Sequence, residues 1–219
     1  MRSLVIGASG GIGAALVRAL AAQGEVVGLS RSVDGLEVTD EQSVAASLGR
    51  LVGAFDLVMI ATGALEIDGA VPEKSLRGVT AQAMLAQFAA NAVGPALVLK
   101  HVVRVLPKDR VARIGVLSAR VGSIGDNALG GWYSYRAAKA ALNQLVHTAA
   151  IEIARSHPLA VLACLHPGTV ATDFTARYAG HHPTVAPDVA AEHLLTVIGG
   201  LSPADSGSFR DWAGKVVPW

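Results

Sequence analysis

The sequence predicts an α/β fold: a single doubly wound parallel sheet of about seven strands with helices on both faces. Three observations predict it. Short apolar runs of strand length alternate with helix-period segments almost from end to end. Alternation of that kind builds βαβ units, whose right-handed crossovers bury a parallel sheet between two helical layers. Aromatics make up 5% and charged residues 16% of the chain, while alanine and glycine abound, which suits close helix-on-sheet packing.

The elements follow in order. Residues 3–8 (SLVIGA) read as a strand and 11–24 (GIGAALVRALAAQG) as a helix closed by Gly24. EVVGLS at 25–30 is the second strand. LEVT at 36–39 is a third, short one, before a helix over 40–52 with Thr39 or Asp40 as its N-cap. FDLVMIAT at 55–62 reads as a buried parallel strand, and 80–107 as one long helix stopped before Pro107. RIGVLS at 113–118 is a strand, 132–156 a second long helix, and AVLACLHPG at 160–168 a strand ending in a turn. A helix near 187–199 and a short strand around 208–210 complete the pattern. No linker-like break and no repeat interrupts it, so residues 1–219 are expected to form one domain.

Composition excludes several classes. Net charge is +1 with no block of like charges, which leaves no footprint for nucleic acid or acidic lipid. No apolar stretch is read as approaching the ~18 to 20 residues of a membrane span. Glycines interrupt the apolar start where a signal peptide needs its core. One cysteine, Cys164, forbids an intramolecular disulfide and reads as a packed small hydrophobe. The expected setting is cytoplasmic.

An open parallel sheet binds ligands at the carboxyl ends of its strands. The first strand runs into Gly7-Ala8-Ser9-Gly10-Gly11-Ile12-Gly13, a glycine loop opening a helix. The small residues permit a tight turn and close approach to a pyrophosphate, and the helix N-terminus aims N–H groups at the anion. This is a Rossmann-type dinucleotide site, with Gly7, Ser9, Gly10, Gly11, Ile12 and Gly13 as its cradle. At the end of strand two a carboxylate would favour NAD; here stand Ser30 and Arg31, a hydroxyl and a guanidinium able to grip a 2′-phosphate. NADP is therefore expected over NAD.

The stretch GGWYSYRAAK places Tyr135 four residues before Lys139, hence on one helix face one turn apart. With three tyrosines and five lysines, such a pair arises by chance in roughly 7% of chains, so its place after the fifth strand of a dinucleotide fold gives it weight. A nearby ammonium lowers a phenol's pKa and readies it to exchange a proton with a carbonyl oxygen. Tyr133 lacks such a lysine and reads as pocket wall or core.

GASGGIG, SR, Asn91 within FAANAVGP, YRAAK and HPGTVATD occur in the order used by classical short-chain dehydrogenases/reductases, which the chain resembles along its whole length. GSIGDNALGGWYSYR and SFRDWAGKVVPW resemble the C-factor-like, sniffer-type carbonyl-reductase branch. The resemblance implies NADP-linked interconversion of a carbonyl and an alcohol, with Tyr135 as acid and Lys139 as activator that also holds the nicotinamide ribose. It implies that Asn91 supports a water in the proton relay. Pro167, Gly168, Val170 and Thr172 would hold the nicotinamide end, and Glu37 and Val38 would lie near the adenine. It also implies a homodimer or homotetramer through the long helices.

Three departures from that pattern stand out. The loop after the fourth strand reads Ala61-Thr62-Gly63-Ala64 where relatives have Asn-Asn-Ala-Gly, and Ile6 replaces a threonine. The position of the third catalytic residue, a serine in relatives, is Ala119. Losing one donor to a developing oxyanion lowers rates by roughly 10²- to 10³-fold. Ser123 in the following loop is the favoured substitute; Ser118 should point to the opposite face. Two readings stay open, a reductase and an NADP(H) sensor of little turnover.

Asp173, Asp126 and Asn127 read as turn and cap residues. His181-His182 lack partners at metal-ligand spacing, so no metal is expected. Phe174, Tyr178 and Trp132 either line a pocket for a small carbonyl or alcohol substrate or pack on the sheet.

Overall fold

The computed structural model describes residues 1–178 and 183–219. Its strands are β1 (Arg2–Ile6), β2 (Glu25–Leu29), β3 (Leu57–Ile60), β4 (Ala112–Leu117), β5 (Ala160–His166) and β6 (Phe209–Asp211). They form one sheet in the order β2-β1-β3-β4-β5-β6, and every pairing is parallel. The chain moves outward from β1 to β2 and then crosses back to β3. The order therefore reverses between β1 and β3, at the carboxyl edge where such sheets hold ligands.

The helices are α1 (Gly11–Ala21), the single turn α2 (Arg31–Asp34), α3 (Glu41–Gly49), α4 (Ala81–Phe88), α5 (Gly94–Val102), α6 (Tyr133–Ser156) and α7 (Pro187–Gly200). Successive strand side chains alternate between two cores. Leu4, Ile6, Val58, Ile60, Ile114, Val116, Leu162 and Cys164 face α5 and α6, where Val98, Val102, Leu142 and Val146 meet them. Val5, Met59, Val161, Ala163 and Leu165 face α1 and α7, against Leu16, Leu20, Leu194 and Ile198. Both faces of the inner strands β1, β3, β4 and β5 are largely dry, which is why their sequences read as near-continuous apolar runs.

The structure corrects the sequence reading in three places. The sheet has six strands, and residues 36–39 are not one of them. There the Glu37 N–H donates to Ser43 Oγ at 2.9 Å, and its carboxylate accepts from Thr39 N–H and Oγ–H at 3.0 and 2.8 Å. These local bonds take the groups a ladder would need, while Leu36 reaches the core at 2% exposure and Val38 packs partly against it. Asp40, not Thr39, caps α3, its Oδ1 accepting from Gln42 N–H at 2.9 Å.

The long helix over 80–107 is interrupted by a π turn at Ala89–Val93. Pro95 has no N–H, so the α-type bond to the Asn91 carbonyl cannot form, and one extra residue is absorbed in the turn. The span Ala81–Val105 is also long and apolar enough, at 25 residues and mean hydropathy 1.3, to cross a membrane by length and composition. The sequence reading missed that; here Val98, Leu99 and Val102 of this span lie in the core beside the sheet.

Candidate active site

The loops after β1 and β3 meet at the reversal point. Gly7 adopts φ 87°, and a Cβ on it would stand 2.7 Å from the Ala61 carbonyl oxygen. Its N–H and that of Ala8 both donate to Leu29 O, at 2.8 and 3.1 Å, which ties the glycine loop to the end of β2. A side chain on Gly13 would collide with the Gly7 carbonyl, so α1 can start only here, hard against the loop. Gly10 and Ser9 are exposed, and α1 has neither a side-chain cap nor an acidic residue in its first turn. Its first N–H groups are thus presented to an anion. A Cβ on Gly11 would stand 2.5 Å from Thr172 Cγ2, so the loop after β5 closes over the same end of α1.

This cradle fits a dinucleotide. Thr62 Oγ1, buried in the floor beside Gly7, has no hydrogen-bond partner among the described residues, which suits a hydroxyl able to bond a ligand. Among the other expected contacts, Ala61 N–H donates to Ile6 O at 2.8 Å. Gly168, with φ 79°, leaves its missing Cβ 3.2 Å from Trp212 Cδ1 beside Pro167. Val170 is 2% exposed and bridges to Val185.

At the end of β2, Ser30 is the N-cap of α2. Its Oγ accepts from Val33 N–H at 3.3 Å, and its N–H donates to Asp34 Oδ2 at 2.8 Å. The Asp34 carboxylate is thus engaged in its own turn. Arg31 stays 81% exposed, 3.6 Å from Glu37. Hydrogen bonds from Thr39, and then the Arg31 charge, hold the Glu37 carboxyl below its ordinary range. Val38 packs at 2.9 Å from where a Cβ on Gly94 would sit.

Tyr135 lies in the first turn of α6 and is 5% exposed; burial alone pushes its phenol well above the ordinary value. Lys139 lies one turn on, buried, with Nζ 5.9 Å from the Tyr135 ring centre and donating to Leu117 O at 3.0 Å. Burial pushes the Lys139 ammonium down to about 8. A Cβ on Gly63 would stand 3.5 Å from Lys139 Nζ and 2.8 Å from Asn91 Oδ1, so the loop glycine joins these two groups. Asn91, fully buried in the π turn, accepts from Ala64 N–H at 3.0 Å and donates to Ala64 O at 2.8 Å. Gln87, one turn earlier, accepts from Asn91 Nδ2 at 2.7 Å and donates to Leu65 O at 2.9 Å.

Over Tyr135 stand aromatic walls. Trp132 meets its ring edge-on at 6.1 Å, Phe174 lies at 6.3 Å, and Tyr178 meets Trp132 at 5.4 Å. The Tyr178 hydroxyl donates to Glu66 Oε1 at 2.7 Å; partial burial and that carboxylate push it up to about 12. A cavity of about 410 Å³ opens between Gly63–Glu66 and Asp173–Arg177, of a volume suited to a small ligand.

Ala119 is extended, at φ −142° and ψ 141°, and carries no hydroxyl. Ser123 Oγ accepts from Asp126 N–H at 3.0 Å, a turn role, and no hydrogen bond joins it to Tyr135 among the described residues. Ser118 donates to Asn143 Oδ1 at 2.6 Å beneath α6. No metal-ligating cluster occurs among the described residues, and His181 and His182 lie outside them. Sequence reasoning missed Gln87, Glu73 and Glu66. Only Gln87, at i, i+4 from Asn91, carried a local signal.

The whole arrangement is that of a nucleotide-linked redox enzyme. The chain belongs to the short-chain dehydrogenase family, whose model matches residues 35–182. It is 32% identical over 234 residues to a 1-hydroxy-2-glutathionyl-2-methyl-3-butene dehydrogenase from Rhodococcus sp. (strain AD45), covering 99% of this chain and 98% of that one. It is 36% identical over 136 residues to the C-signal protein of Myxococcus xanthus, covering 62% and 78%. A short-chain dehydrogenase/reductase from Burkholderia multivorans with bound NADP superposes with TM-score 0.84 at 26% identity, over 100% and 99% of the two chains.

Proposed function

We propose that the protein interconverts a small carbonyl compound and its alcohol, with Tyr135 as general acid and base and Lys139 as its activator. The observation that carries the reading is the buried Tyr135–Lys139 pair, one helical turn apart, beside the glycine-lined crevice of a dinucleotide fold. NADP(H), when bound, supplies or takes the hydride. Gly7, Gly10, Gly11 and Gly13 would hold its pyrophosphate side, Arg31 its 2′-phosphate, and Lys139, Thr62 and Thr172 its nicotinamide side. The exposed guanidinium of Arg31 and the NADP-bound relative both support NADP over NAD.

Burial keeps the Tyr135 phenol protonated at neutral pH, the form that donates to a carbonyl oxygen during reduction. The Lys139 ammonium, one turn along α6, is the compensating charge for the phenolate left behind. Trp132, Phe174 and Tyr178 keep water from the reacting face and offer an apolar wall. Exposed Leu85, Leu145 and Ile151 on α4 and α6 support assembly as a homodimer or homotetramer.

The test is NADPH oxidation over a panel of aldehydes, ketones and quinones, run beside Tyr135→Phe. Activity that collapses in the variant establishes the reductase mechanism. A second reading, an NADP(H) sensor, is favoured by Ala119, which withholds the usual oxyanion donor. Tight NADPH binding with no turnover above that of Tyr135→Phe would decide for the sensor.

A further inference from the structure

We infer that Glu73 is a positioning residue for this reaction: its carboxylate ties down the first turn of α6 and so fixes Tyr135. The inference rests on the reading of Tyr135 as the acid. Glu73 stands in the loop between β3 and α4, 61 positions before Ser134, and is 8% exposed. Its Oε2 accepts the Ser134 N–H at 3.2 Å, and its Oε1 accepts the Ser134 hydroxyl. Its carbonyl oxygen accepts the Trp132 N–H at 2.6 Å. One loop residue thus holds the backbone on both sides of Tyr133, up to the residue before Tyr135.

The backbone it holds is not a relaxed one. Gly130, Gly131 and Trp132 enter α6 at φ 65°, 66° and 53°, three left-handed residues in a row. Glycine adopts that region freely, but the tryptophan Cβ opposes it, and such a residue persists only where its surroundings over-determine it. Trp132 is held there by the Glu73 carbonyl. From that position its ring packs edge-on against Tyr135.

The 24-residue helix also has no cap of its own: Trp132 offers no side-chain acceptor, and the first turn carries no acidic residue. Glu73 supplies across the fold the acceptor and negative charge that a helix ordinarily finds in its own N-terminal residues. A cavity of about 10 Å³ is shared by Glu73, Gln87, Ser134 and Tyr135, so the carboxylate and the acid border the same small space. A cap far from the pocket would affect stability alone. This one lies a residue from the acid, where a shift of the turn moves the phenol relative to a substrate oxygen.

The experiment measures kcat, the NADPH dissociation constant by fluorescence, and melting of the full chain. The variants are Glu73→Ala, Glu73→Gln, Ser134→Ala and Tyr135→Phe, assayed with the best compound of the carbonyl panel. A misplaced reacting group lowers turnover by up to roughly 10²-fold. Glu73→Ala should therefore lose roughly 10- to 100-fold in kcat with NADPH affinity kept within about twofold. Glu73→Gln, whose amide oxygen still accepts from Ser134, should regain most of that loss. If Glu73→Ala does not fold, Ser134→Ala carries the test, with an expected kcat loss of about 3- to 10-fold at unchanged NADPH affinity.

A kcat within twofold of the parent in the folded variant overturns the inference while Tyr135→Phe is dead. A loss of kcat matched by an equal loss of NADPH binding, not rescued by glutamine, overturns it too, since that marks a structural residue. Full turnover in Tyr135→Phe, or no turnover of any panel compound by the parent, removes the acid assignment and this inference with it.

Discussion

Asn91 grips the backbone of Ala64 with both ends of its amide, accepting from its N–H at 3.0 Å and donating to its carbonyl at 2.8 Å. The loop Ala61–Ala64 has no side-chain amides of its own, and Asn91 of the π turn below holds it. Gln87 orients the clamp, because its Oε1 accepts the same Asn91 Nδ2 at 2.7 Å.

Asn91→Ala should therefore leave the half-buried Ala64 N–H and carbonyl and the buried Gln87 oxygen without this partner. The expected cost is about 3 kcal/mol of stability, together with weaker NADPH binding as Gly63 and Thr62 lose their register. Urea unfolding and cofactor titration measure the two effects. Parental values for both would mean that the loop holds itself.

Arg31, proposed above to hold the 2′-phosphate, is largely exposed and 3.6 Å from Glu37, while Asp34 is turned into the α2 cap. Arg31→Ser should weaken NADPH binding by roughly 10- to 100-fold and leave NADH binding nearly unchanged, since only one of the two carries the 2′-phosphate. Equal losses for both cofactors would show that Arg31 acts on the loop and not on the phosphate.

Ala119 stands in extended backbone just past β4, at the position proposed to lack an oxyanion donor. Ala119→Ser should raise kcat by roughly 10-fold or more, toward the 10²-fold scale of a lost oxyanion donor. Ser118→Ala is the companion. It breaks the 2.6 Å bond to Asn143 and should lower the melting temperature while leaving kcat within about twofold. A kcat collapse in Ser118→Ala would instead make Ser118 the donor.

What was legible in the sequence is what local spacing encodes. The glycine loop, the Tyr135–Lys139 turn and the Pro167-Gly168 turn each lie within a few residues, and backbone geometry alone dictates their form. The pairs that hold the site span the chain: Asn91 with Ala64 at 27 positions and Glu73 with Ser134 at 61. No helix or strand period encodes them.

LEVT misled because its alternation is that of an edge strand, while the Ser43 hydroxyl captures the Glu37 N–H from the next helix. The π turn had a signal, Gly94-Pro95, that a periodicity reading of one long helix passes over. Ser123 Oγ accepts the Asp126 N–H in its turn, a bond that sequence position does not show and that leaves its O–H for a further partner.

Lys139 offers the sharpest test by pH. Burial pushes its ammonium from an ordinary 10.5 down to about 8, so the folded chain releases that proton before the unfolded chain does. Between those values the unfolded state binds more protons, and the lysine's contribution to stability rises with pH. The whole gap corresponds to about 3 kcal/mol, a penalty present in full below pH 8 and absent above the unfolded value.

Burial raises Tyr135 and Cys164 instead, so those groups act in the opposite direction at higher pH. The comparison is therefore parent against Lys139→Met between about pH 7 and 9, where burial keeps Tyr135 and Cys164 protonated in both folded proteins. Denaturation at about pH 7 and pH 9 should show the methionine variant more stable by a margin that shrinks as pH rises. In turnover the same ammonium disappears as pH climbs through about 8, so kcat/KM for carbonyl reduction should fall above it. A margin that stays constant with pH, with kcat/KM flat through 9, would mean that Lys139 keeps its proton and that the charge beside Tyr135 is not set by burial.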